Sequence, residues 1–244
     1  MKILVIGYGE IAEEFAKVNR GVEILGIRRN KGTKLSNVKI IHQDYSVKIP
    51  EVAKNLSPDW VLFFPKTRDN DIESYKEGFL SQLDRIFNMF QTSKKIFFSS
   101  TRVLSGYINV EIDETFNTKP TDPQGKVIAE YERIIQQQQS AYILRLSGLI
   151  TSTSNFVELV VKKNLFSENK HINAIHISDV VKIITSMIEG NKKEKLINCV
   201  MPVSAKYSEL FPKFKGETVN AKIKSIHYNN PVSYTHLTLP TSSQ

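Results

Sequence analysis

The apolar residues of this chain fall into short runs that alternate with stretches of helical spacing. Lys2-Ile-Leu-Val-Ile6, Val22-Glu-Ile-Leu-Gly-Ile27, Val38-Lys-Ile-Ile41, Trp60-Val-Leu-Phe-Phe64, Lys95-Ile-Phe-Phe98 and Tyr142-Ile-Leu144 each have strand length. Between them, Ile72, Tyr75, Phe79, Leu83, Ile86 and Phe90 recur at spacings of three and four, which predicts one long amphipathic helix over 70–91. Val127, Ile128, Tyr131, Ile134 and Ile135 predict a second helix over 124–138. Such alternation implies an α/β fold, a doubly wound parallel sheet with helices on both faces. Ligands of these sheets bind at the carboxyl ends of the strands, where Gly7, Arg28, Pro65 and Ser100 fall. The pattern loosens after residue 150. The expected division is a dinucleotide-binding domain over 1–150, interleaved with a smaller substrate-side lobe over 151–230.

The first strand breaks at Gly7-Tyr-Gly9-Glu-Ile-Ala12 and continues as a helical pattern. In a G-x-G-x-x-A turn, the first glycine permits the tight bend and the second admits a pyrophosphate close to the backbone. The alanine lets helix and strand pack closely. The opening of the helix then offers amide donors to phosphate, so Gly7, Gly9, Glu10, Ile11 and Ala12 form the candidate cofactor cradle. Arg28 and Arg29 follow the second strand, where a carboxylate usually accepts from the ribose 2′-hydroxyl of NAD. Arginine there suits a 2′-phosphate, so NADP is expected in preference to NAD; the alternative is a solvated basic loop end. Asp44, Pro65 and Ser99, at or near strand ends, complete the candidate cofactor set.

Composition changes the picture little. The 244 residues are 41% apolar and 24% charged, an ordinary profile for a soluble protein. The net charge of +8 is scattered along the chain without an aromatic-interleaved basic motif, so no nucleic-acid partner is expected and a small anionic ligand is. The single Cys199 excludes an internal disulfide framework and fits a reducing cytoplasm. No run approaches a membrane span, and the opening apolar run is too short for a signal peptide. The histidines show no ligand spacing with carboxylates or Cys199, so no metal is expected. The last stretch, 231–244, has no period tied to what precedes it. Its Val-Ser-Tyr-Thr-His-Leu looks like a translated sequencing adapter, and it is set aside as a non-native tail.

Several further motifs accumulate: Ser99-Ser-Thr-Arg-Val103, Asp113-Glu114, Pro120, Pro123-Gln-Gly-Lys126-x-x-x-Glu130, Leu144-Arg-Leu-Ser-Gly148 and Asn173-Ala-Ile-His-Ile-Ser-Asp179. With the glycine turn, the set resembles the extended and atypical short-chain dehydrogenase/reductases, in the sugar-nucleotide epimerase/dehydratase-like branch. The resemblance implies a Rossmann-type fold and an NADP-binding oxidoreductase or epimerase-like enzyme. Its substrate would be small and hydroxylated, or sugar-derived. In that family a Ser or Thr orients the substrate oxygen, a Tyr carries the proton and a Lys holds the nicotinamide ribose. Ser100 matches the first and Lys126 the third, but Asp122 stands in the tyrosine place. Tyr107 is the substitute candidate, and Arg145, Asn173 and His176 are the candidate substrate contacts. The missing tyrosine leaves a second reading, a non-catalytic NADP-binding sensor or scaffold. In related folds the two long helices pair into dimers, so a homodimer is an expectation. The family usually has a Gly/Pro-rich loop in the nucleotide-sugar position; here Leu149–Asn155 stands there without Pro or Arg.

Overall fold

The computed structural model describes residues 1–30, 35–151, 168–202, 205–211 and 213–229. The chain opens with β1 (Lys2–Ile6), α1 (Glu10–Val18), β2 (Glu23–Arg28), β3 (Val38–His42) and α2 (Glu51–Asn55). It continues through β4 (Trp60–Phe63), α3 (Ile72–Phe79), α4 (Leu83–Met89), β5 (Lys94–Ser100), a 3-10 turn (Thr101–Leu104) and β6 (Glu111–Ile112). Then come α5 (Pro123–Gln136), β7 (Ala141–Leu146), β8 (Gly148–Ile150) and β9 (Ala174–His176). Last are α6 (Ile177–Ile188), β10 (Leu196–Cys199), α7 (Tyr207–Leu210) and β11 (Lys222–Ile223).

Seven strands form one sheet in the order β10-β7-β5-β4-β1-β2-β3, every pairing parallel. A parallel sheet covered on both faces needs strands that are apolar throughout rather than alternating. That is why β1 and β4 read as unbroken apolar runs and are buried along almost their whole length. On one face Phe79, Leu83, Ile86, Tyr131 and Ile135 bring α3, α4 and α5 onto the sheet. On the other, Phe15 and Ala16 of α1 pack in one layer with Val180, Ile184 and Met187 of α6. Two parallel two-stranded pairs, β6 with β11 and β8 with β9, stand apart from the main sheet.

Two features depart from the sequence pattern. The helix expected over 70–91 is two helices. At the break Ser81 N–H bonds back to the Lys76 carbonyl (3.2 Å), a turn wider than α. The Ser81 hydroxyl takes the Glu77 carbonyl (2.5 Å), and the Gln82 side chain leaves to reach the Ser46 carbonyl (2.8 Å). The apolar spacing survives because both halves keep their apolar residues against the sheet. The second departure lies beyond residue 150, where β10 adds the last strand and α6 covers one face, so the layered unit takes segments from both sides of that boundary. The loop from 152 to 155 and the tail over 231–244 lie outside the described residues.

Candidate functional site

The sheet order reverses between β1 and β4, and the glycine turn sits at the carboxyl end of β1, beside that crevice. Gly7 has φ +82°, and a Cβ there would stand 2.2 Å from the Phe64 carbonyl oxygen, so only glycine fits. The Gly7 and Tyr8 amides both donate to the Ile27 carbonyl (3.0 and 2.9 Å), tying the turn to β2. Gly9 caps α1 without a side chain, and Glu13 N–H is the first to bond back, to the Gly9 carbonyl (2.9 Å). The Ile11 and Ala12 amides therefore have no acceptor within the helix and face the turn's opening. A cradle that a Cβ would fill, with helix-end donors around it, fits a dinucleotide pyrophosphate.

At the end of β2 the two arginines part. Arg28 lies over the Tyr8 ring, 5.9 Å from its centroid, and burial pushes the Tyr8 phenol up to about 12. Arg29 turns the other way, to 3.8 Å from the Asp44 carboxylate, which also accepts from Arg68 (3.0 Å) and from the Ser46 hydroxyl (2.8 Å). Burial opposes the Asp44 charge, but the hydrogen bonds from Ser46 and Arg68 outweigh it and hold the carboxyl below its ordinary range. The sequence stretch around the arginines holds no carboxylate, yet the fold supplies one from β3's far end. Arg29 is thus partly neutralised, while Arg28 faces a groove of about 510 Å³ with Gly9, Glu10, Glu13 and Lys17.

His176 lines that same groove, on the α1–α6 side of the sheet, and caps α6 by accepting from Ser178 N–H at 3.2 Å. It is not among the residues that line the cleft at Ser100. Ser99 and Arg145 also lie away from that cleft. Along β5 the side chains alternate, so Ser100 faces the cleft while Ser99 turns into the sheet layer, where its hydroxyl donates to Glu132 (2.6 Å). Arg145 is 2% exposed and grips the same carboxylate through Nε (2.9 Å) and Nη2 (2.7 Å). Both act inside the core.

A cleft of about 940 Å³ does bring Ser100, Tyr107 and Asn173 together, with Arg102, Lys170 and His171. Among the described residues no Asp or Glu lines it. The Ser100 hydroxyl accepts from Arg102 N–H (3.2 Å), capping the 3-10 turn. The tyrosine place is filled by an ion pair: Asp122 caps α5 by accepting from Gly125 N–H (2.8 Å) and receives Arg102 Nε at 2.9 Å. Arg102 also donates to the Tyr75 hydroxyl (3.0 Å) and to Gln124 (3.3 Å). The Tyr107 hydroxyl donates to the Asn117 carbonyl (3.1 Å), and its ring stands edge-on to Phe116. Asn173 spends its amide on the chain around β11, donating to the Ala221 carbonyl and accepting from Ile223 N–H, both at 2.9 Å. Lys126 is exposed and lines a different groove with Thr118, Pro120 and Glu130, so the ribose role expected of it has no geometric support. Pro65 sits half-buried just past β4. Sequence reasoning missed Arg102 and Lys66, which lie shortly past the carboxyl ends of β5 and β4, and that position was the available signal.

Among solved structures the chain is similar to one assigned to the NAD-dependent epimerase/dehydratases from Methylobacillus flagellatus. The identity is 20% and the TM-score 0.71, over 93% of this chain and 89% of that one. It is also similar to UDP-glucuronic acid 4-epimerase from Bacillus cereus in complex with NAD (16%, TM-score 0.67, 92% and 88% covered). A third is dTDP-glucose 4,6-dehydratase from Bacillus anthracis in complex with NAD (14%, TM-score 0.66, 93% and 85% covered). These are folds of the branch the motifs resemble, and likeness at such identities establishes the fold. No protein-family model matches the chain, and no curated protein matches it.

Proposed function

We propose that the chain is an NADP-binding oxidoreductase or epimerase-like enzyme acting on a small hydroxylated or sugar-derived substrate. The observation that carries this reading is the Gly7–Gly9 cradle at the switch point, opening beside a cleft that contains Ser100. Solved neighbours that hold NAD support a nicotinamide dinucleotide as the group bound. When bound, it would supply hydride exchange at the nicotinamide. The residues that would hold it are Gly7 and Gly9 with the Ile11 and Ala12 amides for pyrophosphate, and Arg28 for a 2′-phosphate. Ser100 would then orient a substrate oxygen. The preference for NADP rests chiefly on Arg28, because Asp44 already engages Arg29.

The test is fluorescence titration of NADPH and NADH, with Arg28→Ala and Arg29→Ala variants, followed by reduction of a carbonyl panel. One charge-assisted hydrogen bond to phosphate is worth about 1.5–3 kcal/mol, or roughly tenfold to hundredfold in affinity. Arg28→Ala should weaken NADPH by that factor and leave NADH nearly unchanged, with Arg29→Ala doing less. Wild-type protein that binds both equally would remove the 2′-phosphate assignment.

A specific observation favours a second reading, a non-catalytic NADP-binding sensor or scaffold. The tyrosine place holds the Asp122–Arg102 pair, and the hydroxyl of Tyr107 is already committed to Asn117. Tight NADPH binding with no turnover on any carbonyl would select it.

A further inference from the structure

β4 ends at Phe63, and Phe64-Pro65-Lys66 carries the chain across the crevice toward the glycine turn. The Lys66 backbone is held on two sides. Its N–H donates to the Tyr45 hydroxyl (2.5 Å), and its carbonyl lies so close to Gly78 that a Cβ there would stand 2.6 Å away. Its side chain reaches back over the cradle. A Cβ built on Gly9 would meet Lys66 Nζ at 3.5 Å and Cε at 3.7 Å, so the ammonium stands above the bare face of the second glycine. Lys66 is exposed to solvent, while nearby protein atoms partly desolvate its ammonium. Burial and then the Arg29 charge work against the ammonium, and Glu10 works in its favour. Among the described residues it forms no ion pair with a carboxylate. A cation fixed beside another cation, without an anionic partner, gains most from an anion delivered to that place.

We propose that Lys66 is the phosphate-gripping side chain of the cradle, its ammonium meeting the dinucleotide pyrophosphate across Gly9. The inference rests on the dinucleotide reading above and deepens it. Main-chain amides alone hold pyrophosphate in a bare glycine turn; here a side chain adds a full charge, mounted on β4 across the switch point. The pyrophosphate is common to NAD and NADP, so Lys66 sets affinity for both and selects neither. Arg28, at the ribose end, selects.

The experiment is fluorescence titration of the full chain with NADPH, NADH and ADP, comparing wild type with Lys66→Met and Lys66→Arg. Lys66→Met should raise Kd for all three by about tenfold to hundredfold and by a similar factor for each, the scale of one charge-assisted hydrogen bond. Lys66→Arg, which keeps the cation, should recover most of the loss. Far-UV circular dichroism and the melting temperature show whether each variant is folded, and the arginine variant still reads the charge should the methionine variant misfold. Unchanged or tighter binding by a folded Lys66→Met variant means that the lysine only obstructs the turn, and overturns the assignment alone. If the wild type binds none of the three ligands, the dinucleotide reading falls and takes this inference with it.

Discussion

Replacing Arg145 by Met leaves the Glu132 carboxylate 1% exposed, with the Ser99 hydroxyl as its remaining donor. In the native chain Arg145 meets that carboxylate through both Nε and Nη2, with almost no solvent screening on either side. Taking away one member of such a pair strands a charge in the core, at a typical cost of about 3–5 kcal/mol. For a chain of this length, with about 2–4 °C lost per kcal/mol, the melting temperature should fall by about 6–20 °C. Removing both charges is different. Arg145→Met with Glu132→Leu abolishes the desolvation cost of two ions, so the double variant should recover most of the loss. Urea denaturation followed by circular dichroism gives all three free energies and their coupling. A loss below about 1 kcal/mol for the single variant would refute the argument, as would a double variant less stable than either single. Arg145 lies in the sheet layer and not in the cleft, so folded Arg145→Met protein should titrate with NADPH as wild type does.

Two further outcomes follow from local geometry. Gly7→Ala combines a disfavoured positive φ with a Cβ 2.2 Å from the Phe64 carbonyl oxygen, so it should lower stability by more than about 1 kcal/mol and abolish dinucleotide binding; thermal melting and titration check both. Cys199 is fully buried in β10 and burial pushes its thiol well above its ordinary value, so native protein should resist a thiol reagent that labels the urea-unfolded chain within minutes; fast labelling of folded protein would contradict that placement.

The strands were legible because a parallel sheet buries both faces, which leaves unbroken apolar runs such as Ile3–Ile6 and Trp60–Phe63. Period alone could not show the break at residues 80–82, since it comes from a serine hydroxyl and a glutamine reaching a carbonyl 36 positions away. Nor could it show that Leu196–Cys199 completes the sheet, because four residues after a loose stretch carry little pattern. For the site, the Gly7–Gly9 turn was legible since its constraint is local: a positive φ and a close carbonyl demand glycine whatever lies elsewhere. The roles of Ser99, Arg145 and Asn173 depend on which way each side chain faces and on partners 13 to 50 residues distant. Motif position said nothing of either. Arg29 shows the same limit in electrostatics, for its carboxylate partner lies 15 residues on, in space beside it.

The two halves of the site have come apart chemically. The half that would hold a dinucleotide has the glycines, the helix-end amides and the cations Arg28 and Lys66. In the half that would move a proton, the Arg102–Asp122 pair stands where the resemblance would put a tyrosine. Neither member of that pair donates a proton at neutral pH. Arginine does not deprotonate in proteins. The Asp122 carboxyl, though burial works against its charge, is held below its ordinary range by the Gly125 amide and Arg102. His171, the one imidazole lining the cleft among the described residues, is shifted downward by burial and by the cations Lys206 and Lys222, so at pH 7 it is neutral. A reaction in this cleft would draw its proton from one of the remaining hydroxyl, phenol or ammonium groups among the described lining residues, such as Ser100, Tyr107, Tyr207 or Lys170, or from water or the substrate itself. That requirement separates the two readings physically. A binding module needs only the cradle, whereas an enzyme needs one of these groups within hydrogen-bond reach of the substrate oxygen, since Asp122 and Arg102 do not supply the proton.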